Sequence, residues 1–289
     1  MPLVSTGELV SAAAADGRGI AAFNVITLEH AEAIAAGAEL AGVPAILQIS
    51  ENAVTFHGGN LAAIAAAASA VAHASTAPLA LHLDHVVSTE LLRAAADEDF
   101  SSVMFDASKL PYDENVKVTA DAVRWGHERG IWIEAELGRV GGKEGDKAGG
   151  KEGEPPLDAH APGVRTDPAE AAAYVAATGV DALAVAVGSS HAMTQRTASL
   201  DHTLITRLRD AVPVPLVLHG SSGVPDEEIR AAVAAGMTKI NVGTALNTAF
   251  TGAVRAFLDA NPSTVDPRKY LVPARAAMTA TVAGFLGLL

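Results

Sequence analysis

"LALHLDH" (79–85) reads as one β-strand with two unlike faces. Leu79, Leu81 and Leu83 form an apolar side, while His82, Asp84 and His85 occupy the opposite side and the C-terminal end. Burying imidazoles and a carboxylate without partners costs on the order of several kcal/mol. The polar end of this strand must therefore lead to a place where those groups are used.

Working outward, seven more short apolar runs share its form. They are "GIAAFNV" (19–25), "VPAILQIS" (43–50), "FSSVMFDAS" (100–108), "GIWIEAELG" (130–138), "DALAVAVGSSH" (181–191), "VPLVLHGSSG" (214–223) and "TKINVGT" (238–244). Alanine-rich stretches with i, i+3, i+4 apolar spacing separate them, among them "LEHAEAIAAGAELAG" and "DEEIRAAVAAGM". Asp167-Pro168 and Pro225 with Asp226 mark helix starts. Eight strands alternating with helices predict an α/β fold, a single (β/α)8 TIM barrel spanning 1–289. A doubly wound open sheet is the alternative, but eight units fill the chain with little left over.

Each run turns polar where it ends: Asn24, Ser50, Asp84 with His85, Asp106, Glu134 with Glu136, His191, His219 and Asn241. In a barrel these ends share one rim, where active sites are built. His85, His191 and His219 together supply three imidazoles with an open position, a common catalytic zinc arrangement. Asp84 and His85, being adjacent, are expected on opposite sides of the strand end. His82 reads as a packing or supporting histidine, and the remaining histidines receive no role. Two glycine-rich turns, "HGSSGVP" (219–225) and "NVGT" (241–244), lie next to helix starts, where backbone N–H groups can cradle a phosphate. The segment 138–166 is too polar and glycine-rich to pack, and is expected to be a disordered loop or a mobile lid carrying Glu144 and Glu152.

Composition limits the partners. The 289 residues are 49% hydrophobic and carry 33 acidic against 20 basic side chains, a net charge of −13. A chain this acidic lacks the basic face that nucleic acid or an anionic membrane requires. It contains no cysteine, which excludes disulfides, thiolate zinc sites and a cysteine nucleophile. With no basic–apolar leader and no apolar run of about 18 residues, it reads as a soluble cytoplasmic protein.

At these residues the chain resembles the class II, zinc-dependent ketose-bisphosphate aldolases, the fructose- and tagatose-1,6-bisphosphate enzymes. The likeness runs from "AFNVITLEHAEAI" to "DPRKYLVPARAAM" through "HLDH", "EAELGRVGGKEGD", "TGVDALAVAVGSSH", "LHGSSGVP" and "KINVGT". It implies that His85, His191 and His219 bind the catalytic zinc. Glu136 would hold the metal in a second, buried position, with Asp106 as a nearby acidic residue. Asp84 would be the proton donor and Glu144 the loop carboxylate acting on the C3 proton. Gly220, Ser221, Ser222, Asn241, Val242, Gly243 and Thr244 would bind dihydroxyacetone phosphate, with Ala192 beside them. Asn24 and Ser50 would face the substrate, and Arg268 would reach its distal phosphate. The resemblance further implies a sugar-phosphate substrate and a homodimer or homotetramer, and leaves open a monovalent cation near the phosphate site.

Three positions depart from that pattern. Ala192 replaces a usual glycine, Gly243 stands where fructose-bisphosphate enzymes carry an aspartate, and Asn247 stands where many relatives have a basic residue. The identity and phosphorylation of the aldehyde half therefore stay open. A lysine Schiff-base mechanism is disfavoured, because Lys239 sits at the start of its strand, the end away from the rim. Two rival readings are a zinc hydrolase, which would want a His-x-His pair where "AAFNV" ends in Asn24, and a non-catalytic sugar-phosphate binder, which would have lost Asp84 and Glu144.

Overall fold

The computed structural model describes residues 3–138 and 165–289. The first half runs α1 (Thr6–Ala15), β1 (Ile20–Asn24), α2 (Leu28–Ala41), β2 (Ala45–Ser50), α3 (Glu51–Phe56), α4 (Leu61–Ala74), β3 (Leu79–Val86), α5 (Thr89–Ala94) and β4 (Ser102–Phe105). The second half continues α6 (Tyr112–His127), β5 (Trp132–Leu137), α7 (Pro168–Thr178), β6 (Ala182–Val185), α8 (His202–Ala211), β7 (Leu216–Leu218), α9 (Asp226–Ala235), β8 (Met237–Val242), α10 (Thr244–Ala260) and α11 (Pro267–Leu286). The eight strands pair in chain order, all parallel, and close as β1 meets β8 with Ala22 opposite Asn241. This is the (β/α)8 barrel expected from the repeating pattern. The expected lid at 138–166 lies almost wholly outside the described residues.

Helix starts follow their local chemistry. The Asp167 carboxylate accepts the N–H groups of Ala169 and Glu170 at 2.9 and 3.0 Å, with Pro168 as the first helical residue of α7. Alternation along each strand then sorts side chains into two shells. Phe23, Leu47, Leu81, Leu83, Ile133 and Leu183 join one continuous apolar layer with the helices. Each such buried side chain contributes about 1.5–3 kcal/mol. Facing inward at the bottom, Ile20, Ala22, Ile46 and Ala80 pack on Val10 of α1, so that this N-terminal helix closes the lower end.

The layer above is polar. Gln48, His82, Glu134 and Lys239 come from four strands and are all buried. The Lys239 ammonium pairs with Glu134 at 2.8 Å and donates to Asn241 and Gln48 at 2.9 and 3.2 Å. Lys239 is thus not withdrawn at the bottom of the barrel, as its place near the strand start had suggested. Its long side chain rises along the interior to the floor of the rim. Lys239 is engaged there by Glu134 and does not line the cavity above, which disfavours a Schiff-base role. His82 fills the supporting role expected of it, with Nδ1 2.7 Å from the Ser102 hydroxyl.

Candidate active site

Strand β3 ends in a bulge: its register against β4 shifts between Leu83 and Val86, and His85 takes a φ of +51°. Left-handed backbone at a bulky residue costs on the order of 1–3 kcal/mol and persists where the surroundings impose it. Here it breaks the strict alternation of the strand. Asp84 and His85 consequently do not point to opposite sides. Both line one cavity, with the Asp84 carboxylate 3.7 Å from His85 Nε2.

His85, His191 and His219 converge from the ends of β3, β6 and β7, offering ligand atoms that all lie within 4.8 Å of one another. Carboxylates lie against the outer nitrogens of two of them. His85 Nδ1 lies 3.1 Å from Asp106, and His219 Nε2 lies 3.0 Å from Glu134. The carboxylate makes His85 Nδ1 the donor to Asp106, while His219 Nε2 lies between Glu134 and the Asn241 side-chain amide nitrogen, 3.1 Å away. His85 Nε2 and His219 Nδ1 face each other at 3.1 Å. Tetrahedral zinc with nitrogens at about 2.0–2.1 Å brings its ligands to about this separation. The donor set therefore fits a metal, and the outer carboxylates are the orienting partners such ligands require.

Electrostatics oppose the effect of burial at two carboxylates, Asp84 and Glu134. Burial alone would raise the Asp84 carboxyl, but His85, His82, His219 and Lys239 outweigh it and hold Asp84 well below the usual range. Burial likewise opposes ionisation of Glu134, yet Lys239 and His219 bring it down to about 2. Gln48 donates to Asp84 and fixes its orientation. Glu136 is buried beneath the site, 3.8 Å from His219 Nδ1.

The cavity has a volume of about 790 Å3 and is lined by Asn24, Ser50, Asp84, His85, Asp106, His191, Ala192, Gly220, Ser222, Asn241, Gly243 and Thr244. On its β7–β8 side, Gly220 adopts φ +69°, and a Cβ there would lie 2.5 Å from the Ser190 carbonyl oxygen; only glycine fits. The turn Ser221–Gly223 follows, and the Ser222 hydroxyl accepts the N–H groups of Gly243 and Ala245 at the start of α10. Helix α10 runs for 17 residues from Thr244, and the Ser222 hydroxyl supplies the N-terminal acceptor that Gly243 lacks. Ala192 has φ +58°, which explains why glycine is the easier residue there.

Several expected residues stand elsewhere. Val242 points into the outer apolar layer because alternation along β8 gives the cavity to Asn241 and Gly243. The Ser221 hydroxyl turns back to the Leu218 carbonyl at 3.1 Å. Arg268 opens α11 on the surface, where it pairs with Asp266 and does not line the cavity. Glu144 lies outside the described residues. Gln48 and Lys239 were not among the expected site residues. The signal available was Gln48 inside the apolar run "AILQIS" and the polar start of "TKINV".

A closed (β/α)8 barrel with three convergent histidines and an aspartate at its C-terminal rim has the form of a barrel enzyme with a candidate metal site. The sequence matches the family described as fructose-bisphosphate aldolase class-II over residues 4–289. It is 41% identical to a fructose-bisphosphate aldolase of Geobacillus stearothermophilus over 285 residues, covering 98% of this chain and 96% of that protein. Its fold is similar to the YdjI aldolase of Escherichia coli K12, with a TM-score of 0.82 and 31% identity, covering 99% of this chain and 96% of that one. The fructose-bisphosphate aldolase of Campylobacter jejuni has the same fold, with a TM-score of 0.80 at 23% identity, covering 100% and 95% of the two chains. The chain belongs to the class II fructose-bisphosphate aldolase family, and it is a lyase of the ketose-bisphosphate aldolase group. Among the described residues no helix is long and apolar enough to cross a membrane.

Proposed function

We propose that His85, His191 and His219 hold zinc and that Asp84 is the acid–base residue for cleavage of the C3–C4 bond of a ketose phosphate. The observation that carries this reading is the convergence of ligand atoms from His85, His191 and His219 within 4.8 Å of one another, beside the Asp84 carboxylate in the same cavity. Zinc bound there supplies a Lewis acid for the C2 carbonyl. Asp84, anionic and oriented by Gln48, takes the C4 hydroxyl proton during cleavage and returns it during condensation. The turn at Gly220 and the N-terminus of α10 hold the phosphate of the dihydroxyacetone phosphate half, while Asn24 and Ser50 meet its hydroxyl groups. Asp106 and Glu134 orient the ligands His85 and His219, and Glu136 offers the buried alternative position for the metal. Glu144 is the carboxylate we assign to the C3 proton.

The acidic, cysteine-free composition supports a cytoplasmic enzyme, and family membership supports a homodimer or homotetramer. The test is release of dihydroxyacetone phosphate from a panel of ketose 1-phosphates and 1,6-bisphosphates by the wild type and by Asp84→Ala. Release by the wild type and its loss in the variant is the expected result. No release from any substrate by the zinc-loaded wild type would overturn the reading.

A further inference from the structure

Lys239 is the only buried lysine or arginine among the described residues, and it does not reach the cavity surface. Burying an ammonium is costly unless its charge and its protons are both met. Glu134 Oε2 meets the charge at 2.8 Å. Two amide oxygens lie beside it as well, Asn241 Oδ1 at 2.9 Å and Gln48 Oε1 at 3.2 Å, with His82 Nε2 at 3.4 Å. Neutralisation alone needs Glu134 and nothing more. The contact with Gln48 leads elsewhere, to the acid–base group.

An ammonium has three protons and no lone pair, and an ionised carboxylate has lone pairs and no proton. Gln48 stands between one of each, so only one orientation of its amide satisfies both ends. Its oxygen accepts from Lys239, and its nitrogen donates to Asp84 Oδ2 and to Asn24 Oδ1, both at 2.9 Å. Asn24, accepting through its oxygen, turns its own nitrogen toward Gly243, where both residues line the cavity. Without the ammonium, the buried Gln48 oxygen loses its donor and the side chain is held at the Asp84 end alone. We propose that Lys239 is a positioning residue for carbon–carbon cleavage: it anchors Gln48, and through Gln48 it sets the orientation of Asp84. The assignment rests on the aldolase reading above and extends that site to a residue beneath the cavity floor.

The test is a double-mutant cycle in the full-length protein at saturating zinc, with bound zinc measured for every variant. Removing Lys239 alone would leave Glu134 as a buried, unpaired charge, so the cycle is built on Glu134→Gln, which takes both charges out together. Lys239→Met, Gln48→Leu and the two combined are added to that background. Cleavage of a ketose 1,6-bisphosphate and C3 proton exchange on dihydroxyacetone phosphate are assayed in parallel. Each single addition is expected to lower kcat for cleavage about 10-fold and to leave exchange within about twofold. The combination is expected to lose about 10-fold again and not about 100-fold, because both substitutions break the same relay. Unchanged cleavage after Lys239→Met, a multiplied loss in the combination, an equal fall of cleavage and exchange, or failure of Lys239→Met to fold in this background would each overturn this inference alone. Absence of both activities in the zinc-loaded wild type would overturn the aldolase reading and the inference with it.

Discussion

The side-chain amide of Gln48 donates to the Asp84 carboxylate at 2.9 Å. The same nitrogen reaches Asn24 Oδ1 at 2.9 Å, and Gln48 Oε1 accepts from the buried Lys239 at 3.2 Å. One neutral side chain, held at both ends, thereby sets the direction in which the proposed acid–base group faces. Orientation of this kind matters because proton transfer requires close, aligned donor and acceptor.

Asp84→Ala is expected to lower C–C cleavage about 10²–10⁴-fold. C3 proton exchange on dihydroxyacetone phosphate should persist, since Asp84 serves the C4 oxygen. Gln48→Leu should lower cleavage by a smaller factor, about 10-fold for a lost hydrogen bond to a charged group, with metal content unchanged. Parallel cleavage and exchange assays check this. Equal loss of both activities in Asp84→Ala would contradict the division of roles.

Glu134 touches no cavity surface but orients His219 and neutralises Lys239. Glu134→Gln is expected to weaken zinc binding about 10–100-fold, as loss of a ligand's carboxylate partner does. Competition with a chelator measures this directly. Unchanged affinity would show that the carboxylate stabilises the barrel and not the ligand.

Ala192 stands at φ +58° on the cavity rim. A left-handed alanine costs about 1–2 kcal/mol, while glycine adopts this conformation freely and returns about 0.4–1 kcal/mol of that gain as unfolded-chain entropy. Ala192→Gly should therefore keep its activity and unfold at an equal or slightly higher denaturant concentration. A midpoint well below that of the wild type would count against the strain at this position.

His30 ties stability to pH. Burial, the largest effect, lowers its pKa from the ordinary value near 6.5, against a smaller raising effect from Asn247. Its Nδ1 accepts the Thr27 N–H at the start of α2 and so must be unprotonated. Because the folded pKa is depressed, the unfolded chain binds the proton first as pH falls below about 6.5, and stability declines through that window. His30→Gln keeps a capping-box residue at this position without a titrating ring. Denaturation at pH 7.5 and 5.5 should show a smaller difference in this variant; an identical difference would exclude His30 as a contributor.

The barrel was legible because each strand is a separate apolar run with a polar terminus, and parallel strands buried on both faces leave that pattern in sequence. The three histidines were legible for the same reason, as "HLDH", "GSSH" and "LHGSSG" all fall at run ends. What alternation could not reveal was its own failure. The left-handed turn at His85 depends on the tertiary environment of the bulge, and it brings Asp84 and His85 onto one cavity. The roles of Gln48 and Lys239 were likewise hidden, because a polar residue in a strand gives no hint of which neighbour it meets across the barrel. Gly243 is a further case: a Cβ there would lie 2.8 Å from the Asn24 amide nitrogen, so Asn24 fills the space a larger side chain would need.

The most direct test of the central claim measures metal content and aldol activity in the same preparations. Wild type, His85→Ala and His219→Ala are stripped with a chelator, dialysed against zinc, and assayed both for bound zinc and for C3 proton exchange on dihydroxyacetone phosphate. The account predicts that stripped wild type is inactive, that zinc restores it in proportion to occupancy, and that both variants lose zinc and exchange together. Full exchange in metal-free wild type, or stoichiometric zinc retained by both variants, would contradict it.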